Sequence, residues 1–186
     1  LSLFPRLWRS SRLSLLSAMK ALITAGGRST RLRPITHTIN KHLIPIAGKP
    51  MLFYPIEKIR KSGIEDIGIM VNPGDQELPK IIGNGDRWNA HITYIEQIGG
   101  PLGIAHAVNT AHDFLGDDPF IFYLGDNIVL GDIARFIKKF EDEKLNCLLA
   151  LAKVLDPNRF GVPEIVDGRI VRVVEKPENP SSDFAV

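Results

Sequence analysis

Cysteine is almost absent from this chain: among 186 residues there is one, Cys147. An internal disulfide is therefore excluded, and nothing points to an oxidising compartment, so a cytoplasmic location is the expectation. Cys147 lies in the apolar run Cys147-Leu148-Leu149-Ala150-Leu151-Ala152 and reads as a buried, inert thiol. No apolar run approaches the roughly 18–20 residues that span a bilayer. There is no H-E-x-x-H among the five histidines, no G-x-S-x-G elbow, no Walker A spacing and no G-x-G-x-x-G. His106 and His112 are six apart, on different faces of a helix. Zincin, serine hydrolase, P-loop and dinucleotide fingerprints are thus missing.

An excess of positive charge is missing too. The formal net charge is +2, but Arg6, Arg9 and Arg12 fall in an opening segment without a single acid. With those three set aside, the remaining basic residues number one fewer than the 21 acidic ones, a formal −1. A body this close to neutral has no global field to attract nucleic acid. Residues 1–18, rich in serine and arginine, resemble a transit peptide; translated upstream sequence ahead of Met19 is the preferred reading, with residues 1–18 lacking fixed structure. Residues 19–186 are expected to form one domain, and 44% hydrophobic residues suffice for its core.

What is present is an alternation of short apolar strands with helical periodicities. Strands are predicted over 20–24, 67–71, 91–96, 120–124 and 147–152, the fourth buried on both faces. Helices are predicted over 51–62, 78–82, 104–114 and 133–140, the last capped by Asp132. The prolines and Gly48 within 41–50 predict an extended connection. The pattern is that of a doubly wound α/β fold with a mostly parallel, Rossmann-like sheet. Asp167-Gly168 between 161–166 and 169–174 adds a β-hairpin. Phe184-Ala185-Val186 reads as the start of another strand, so the domain is expected to be truncated on its C-terminal side.

In such a sheet ligands collect beyond the carboxyl ends of the strands. Four polar groups are expected on that rim. After the first strand, Ala25-Gly26-Gly27-Arg28-Ser29-Thr30-Arg31, with Lys41 beyond, is either a solvated basic loop or an anion cradle of backbone N–H groups and forked guanidinium donors. Gln97 opens a second glycine-rich loop reaching Gly103; its amide can read a base edge or be an ordinary polar loop group. Asp126 follows the fourth strand as a turn former or a Mg²⁺ ligand. Glu175 and Lys176 end the hairpin, and Lys176 is either a flexible point charge for a second phosphate or a solvated lysine before Pro177.

These blocks together resemble the sugar-1-phosphate nucleotidyltransferases. Gly26-Gly27-Arg28-Ser29-Thr30-Arg31-Leu32-Arg33-Pro34 followed by Lys41 and Pro45 is similar to G-G-x-G-T-R-L-x-P and K-P-L-x-P. Gly99–Ala107, Leu124-Gly125-Asp126-Asn127 and Val174-Glu175-Lys176-Pro177 match later blocks in order. The similarity is greatest to the long type of thymidylyltransferase acting on glucose 1-phosphate, and it covers Met19 to Val186. It implies transfer of a nucleotidyl group from dTTP to glucose 1-phosphate, giving dTDP-glucose and pyrophosphate. UTP or another nucleotide in place of dTTP, or a non-catalytic nucleotide-binding remnant, are the alternatives.

By position, the resemblance implies nucleotide contacts at Ala25, Gly26, Gly27, Thr30, Gln97 and Gly103. It implies catalytic cations at Arg31 and Lys41, Mg²⁺ at Asp126, and sugar-phosphate contacts at Gly161, Glu175 and Lys176. It also implies homo-oligomers, and no nucleic-acid or membrane partner. Ser29 stands where the family has glycine and His42 where it has proline. The family's second metal-binding aspartate is expected beyond Val186.

Overall fold

Lys20–Thr24 is a short apolar run between Met19 and a glycine, and it forms the central strand β1 of a computed structural model. That structure describes residues 18–26, 40–100 and 102–186. The chain divides into two compact units, one ending at Ile133 and the other comprising Ala134–Val186.

In the first unit, β1 is flanked on one side by β4 (Asp66–Val71), with β5 (His91–Glu96) outside it, and on the other by β6 (Phe120–Leu124). All pairings are parallel, with Ala21 opposite Ile67 and Ile121, and Ile69 opposite Tyr94. The chain moves outward from β1 to β4 to β5, then returns to the other side of β1. That reversal, between β1 and β6, is where a doubly wound sheet opens a crevice at its carboxyl edge.

The core follows from period-two alternation. Ala21, Ile23, Ile67 and Ile69 share one face and are fully buried. Leu22 and Met70 face the other way, into a cluster with Ala107, Ala111 and Leu115. Phe114 also packs there, and Gly68 makes room for it: a Cβ at Gly68 would lie 2.8 Å from the ring. Helix α1 (Phe53–Lys61) buries Ile56 and Ile59 completely, and the preceding Leu52 is fully buried as well. Helix α2 (Glu77–Ile82) buries Leu78 and Ile82.

Three expectations fail in this unit. The helix predicted over 104–114 is two, α3 (Ile104–Thr110) and α4 (His112–Leu115), broken at Ala111. Thr110 Oγ1 donates to the His106 carbonyl at 2.9 Å, the back-bond that bends helices. The stretch 41–50 is not simply extended. It forms a 3₁₀ turn at Lys41–Leu43, then a tight ribbon of β2 (Pro45–Ile46) and β3 (Lys49–Pro50) around Ala47 and Gly48, both at positive φ. β6 is not buried on both faces: among the described residues it pairs with β1 alone, and Phe120 and Leu124 are exposed.

The second unit starts with α5 (Ala134–Asp142), one residue later than predicted, so Asp132 lies two residues before the first helical residue. The hairpin β8 (Gly161–Val166) and β9 (Arg169–Glu175) turns at Asp167 and Gly168, with φ of 49° and 74°, as a two-residue primed turn requires. It is a two-stranded sheet of its own, so Glu175 does not end a strand of the parallel sheet. The predicted strand 147–152 is reduced to β7 (Ala152–Lys153), paired antiparallel with β10 (Phe184–Ala185). Residues 147–151 enter no strand pairing among the described residues, which leaves Cys147 exposed rather than buried. No helix among the described residues is long and apolar enough to cross a membrane.

Candidate nucleotide site

The carboxyl edge of the parallel sheet collects polar groups because β4 and β5 run directly into Asn72 and Gln97, and β6 runs through Gly125 into Asp126. β1 continues into Ala25, buried and held by its N–H on the Met70 carbonyl at 2.8 Å, and then Gly26. A Cβ on Gly26 would lie 3.3 Å from Asn72 Oδ1 and 3.6 Å from Gln97 Oε1, so the ends of β1, β4 and β5 converge there. Gln97 is buried, its N–H on the Val71 carbonyl at 2.9 Å, and its Nε2 lies 3.5 Å from His106 Nδ1. Gly103, which precedes α3, has a φ of 97°, a conformation that favours glycine.

On the other side of β1, Gly125 donates to the Thr24 carbonyl at 2.9 Å and places Asp126 at the reversal point. Lys41 Nζ meets Asp126 Oδ2 at 2.6 Å, joining residues 85 apart in sequence. Burial opposes ionisation of Asp126, but the hydrogen bond and charge of Lys41 outweigh it and hold the carboxyl below its usual range. Lys41 is held from the residue before it: Asn40 Oδ1 accepts from His42 N at 3.0 Å and lies 2.9 Å from His42 Nδ1. His42 is buried, 2% exposed, with its ring against Gly125. Among the described residues no three His, Cys, Asp or Glu side chains gather as a metal-binding group; the carboxylate at the reversal point is that of Asp126.

In the second unit, Gly161 and Glu175 are opposite each other in β8 and β9. Lys176 has a φ of 46° and donates its N–H to the Phe160 carbonyl at 2.9 Å. Its ammonium lies 3.7 Å from Glu175 Oε1, and both side chains are exposed.

Residues 20–186 match the family model described as nucleotidyl transferase. The chain belongs to that family. It is 49% identical over 170 residues to a glucose-1-phosphate thymidylyltransferase of Streptomyces antibioticus, covering 90% of this chain and 48% of the relative. It is 41% identical to a low-salt glycan biosynthesis nucleotidyltransferase of Haloferax volcanii, covering 90% of this chain and 47% of that protein. Its fold superposes with a TM-score of 0.85, at 37% identity, on a Bacillus anthracis crystal structure assigned as a glucose-1-phosphate thymidylyltransferase in complex with sucrose. That match covers 91% of this chain and 69% of the other. The chain thus spans about half the length of the curated relatives it matches.

Of the residues that the nucleotidyltransferase motifs point to, the structure brings together Ala25, Gly26 and Gln97 at one end of the crevice, and Lys41 and Asp126 at the other. Gly27, Thr30 and Arg31 lie outside the described residues, as do Arg28 and Ser29. Gly161, Glu175 and Lys176 adjoin one another in the second unit. Sequence reasoning passed over Asn40, Asn72 and Asp75, and it treated His42 only as a substitution for proline. The signal for Asn40 was available: an asparagine directly before a short helical turn is a preferred cap.

His42 makes a prediction about stability. Burial first, then the charge of Lys41, depress its pKa from 6.5 to about 4, against smaller opposite effects of Asp126 and Asp75. The unfolded chain therefore binds a proton at His42 more readily than the folded one. Its neutral state is no burden above pH 6.5, and stability is lost as pH falls from there towards about 4. The loss reaches about 3 kcal/mol at the lower limit. Thermal melting of wild type and His42→Gln between pH 7.5 and 4.5 checks it: the wild-type curve falls more steeply, and parallel curves refute the assignment.

Proposed function

We propose that this chain carries the nucleotide-binding portion of a sugar-1-phosphate nucleotidyltransferase whose substrates are dTTP and glucose 1-phosphate. The observation that carries the reading is the Lys41–Asp126 pair set across the sheet's reversal point, beside the backbone end of β1. A nucleoside triphosphate lying there has an opposed cation and carboxylate at its phosphates and the buried Gln97 amide at the end of β5 for its base.

The reaction is in-line attack by a phosphate oxygen of the sugar phosphate on the α-phosphorus of the nucleotide. A new P–O bond forms as the α–β bridging P–O bond breaks, and pyrophosphate leaves with the bridging oxygen. No side-chain nucleophile is needed, so the protein's task is to position the reactants and neutralise charge. Asp126 would hold Mg²⁺. One carboxylate fits this ion, which keeps several waters and takes its other ligands from substrate phosphates. When bound, Mg²⁺ offsets triphosphate charge and polarises the phosphoryl group under attack.

Lys41 would exchange its hydrogen bond to Asp126 for phosphate oxygens of a bound nucleotide, leaving the carboxylate to hold Mg²⁺. Gly26 leaves the end of β1 bare, so backbone rather than side chain meets the nucleotide. Arg31 is assigned to the departing pyrophosphate, and Gly27, Thr30 and Gly103 to the nucleotide. Gly161, Glu175 and Lys176 are assigned to the sugar phosphate.

Base choice is the finer part of the proposal, and it rests on Gln97 and on the thymidylyltransferase relatives. The test is a pair of titrations with Mg–dTTP and Mg–UTP on wild type and Gln97→Ala. Wild type is expected to prefer dTTP, and the variant to lose that preference. Equal affinities in wild type overturn the base assignment; saturable binding of neither nucleotide at millimolar concentration overturns the nucleotide reading altogether.

A further inference from the structure

Lys41 is held from below by a second pair of residues, and every hydrogen-bonding atom of that pair has a distinct task. Asn40 Oδ1 accepts from the backbone N–H of His42 at 3.0 Å and lies 2.9 Å from its Nδ1, which caps the 3₁₀ turn carrying Lys41. Asn40 Nδ2 donates to Asp75 Oδ2 at 3.1 Å. The other oxygen, Asp75 Oδ1, accepts from Glu77 N at 3.0 Å and Leu78 N at 3.1 Å, closing the first turn of α2. The Asn40 amide has one consistent orientation, because a backbone N–H demands an acceptor on one side and a carboxylate demands a donor on the other.

The far end of this link is itself fixed. Asp75 belongs to the loop after β4, where Asp75 N donates to the Asn72 carbonyl at 3.1 Å. Gly74 N donates to Glu96 Oε1 at 2.9 Å, tying the same loop to the end of β5. Asn40 N adds a bond to Glu77 Oε2 at 3.2 Å. The turn bearing Lys41 is thus anchored to the rim of β4 and β5, while its ammonium reaches across to Asp126 after β6. The turn is also held on its other side, where Leu52 N donates to the His42 carbonyl at 2.9 Å. The Asn40–Asp75 bond ties it to the β4 loop side chain to side chain, and the part-exposed Lys41–Asp126 pair contributes little to holding the cation by itself.

We propose that Asn40 and Asp75 are positioning residues: their hydrogen bond fastens the Lys41 turn to the loop after β4 and aims the ammonium at Asp126. Their importance for nucleotide binding rests on the reading given under Proposed function.

The test is the acetylation rate of Lys41 under limiting acetic anhydride, read by mass spectrometry, with the exposed Lys61 and Lys80 as internal references. Asp75→Asn presents an NH₂ to the Asn40 NH₂, losing that bond, or, if its amide turns over, to the N–H groups of Glu77 and Leu78, losing both of theirs. The exchange N40D/D75N restores the full set, since the carboxylate at position 40 keeps both acceptor roles and receives the new amide's N–H. Asp75→Asn is expected to speed Lys41 labelling about fivefold with the references unchanged, and the exchange to return it near wild type. In parallel, Mg–dTTP affinity falls about fivefold in Asp75→Asn, recovers in the exchange, and is insensitive to Asp75→Asn in a Lys41→Met background, as coupling through Lys41 requires.

Unchanged Lys41 labelling in Asp75→Asn overturns the proposal, as does a failure of the exchange to restore it. If labelling of Lys61 and Lys80 also rises, the variant has loosened α2; Asn40→Ser, which leaves the α2 cap intact, then decides by the same criterion. If the labelling pattern holds but wild type binds no nucleotide, the nucleotide reading falls and the positioning stands. Equal loss of affinity in the wild-type and Lys41→Met backgrounds assigns the pair a structural role and overturns the proposal.

Discussion

Asp126→Ala is expected to abolish the Mg²⁺ dependence of dTTP binding and to lower turnover about 10³-fold in any catalytically competent form of the protein. The carboxylate stands at the reversal point of the sheet, and among the described residues no group of three or more His, Cys, Asp or Glu side chains gathers to take over its task. The fold should tolerate the change. The Asp126 side chain is 40% exposed, and part-exposed ion pairs of this kind contribute about 1 kcal/mol or less. Calorimetric titration of dTTP with and without Mg²⁺, together with a melting curve, separates the two effects. Unaltered Mg²⁺ dependence in a folded variant refutes the metal assignment. Asp126→Asn, which keeps the shape and removes the charge, should behave in the same way.

Gly125→Ala is the second large effect, and it acts on fold and site together. An added Cβ would lie 2.4 Å from the Thr24 carbonyl oxygen, and 3.1 Å from both His42 Cδ2 and Leu52 Cδ1. The first obstacle is main chain in the central strand, so no rotamer relieves it, and that carbonyl also accepts the Gly125 N–H. Either β6 moves away from β1 or the Asp126 turn moves away from Lys41. Overpacking of this kind costs about 3 kcal/mol, corresponding to a melting temperature lower by roughly 6–12 °C for a chain of this size. Loss of Mg–dTTP binding should accompany it. A melting temperature within 2 °C of wild type would mean that the glycine is not required for close approach.

β1 and β5 were legible to the residue because both are short runs of apolar or β-branched side chains with clear breaks after them. The hairpin was legible because Asp167-Gly168 is suited to two consecutive positive φ values. β6 was legible as a strand but not as an edge, since Phe-Ile-Phe-Tyr-Leu has the same composition whether or not a neighbour covers it. The run from Cys147 is the sharpest failure: apolar composition suggested a strand, but strand formation needs a hydrogen-bonding partner, and among the described residues only Ala152–Lys153 has one.

For the site, motif order singled out Asp126, Lys41 and Gln97 as candidates on the strand-end loops, and the geometry then added what spacing cannot carry. A contact between residues 85 apart depends on β6 returning beside β1, which is a property of topology rather than of either motif. Asn40 and Asp75 were illegible for the same reason, because each looks like an ordinary turn residue until the loop after β4 is seen beside the Lys41 turn. His42 looked like a mild exchange for proline. In the folded chain it is a buried ring packed between the Asn40 amide and Gly125.

The measurement that tests the account most directly is amide chemical-shift mapping of the isotope-labelled chain on addition of Mg–dTTP. The account predicts saturable shifts at Gly26, Lys41, Gln97, Gly125 and Asp126, the positions lining the carboxyl edge of the parallel sheet, with little change at Trp88 or in α2. Saturable shifts confined to other positions, or none at millimolar nucleotide, would contradict it.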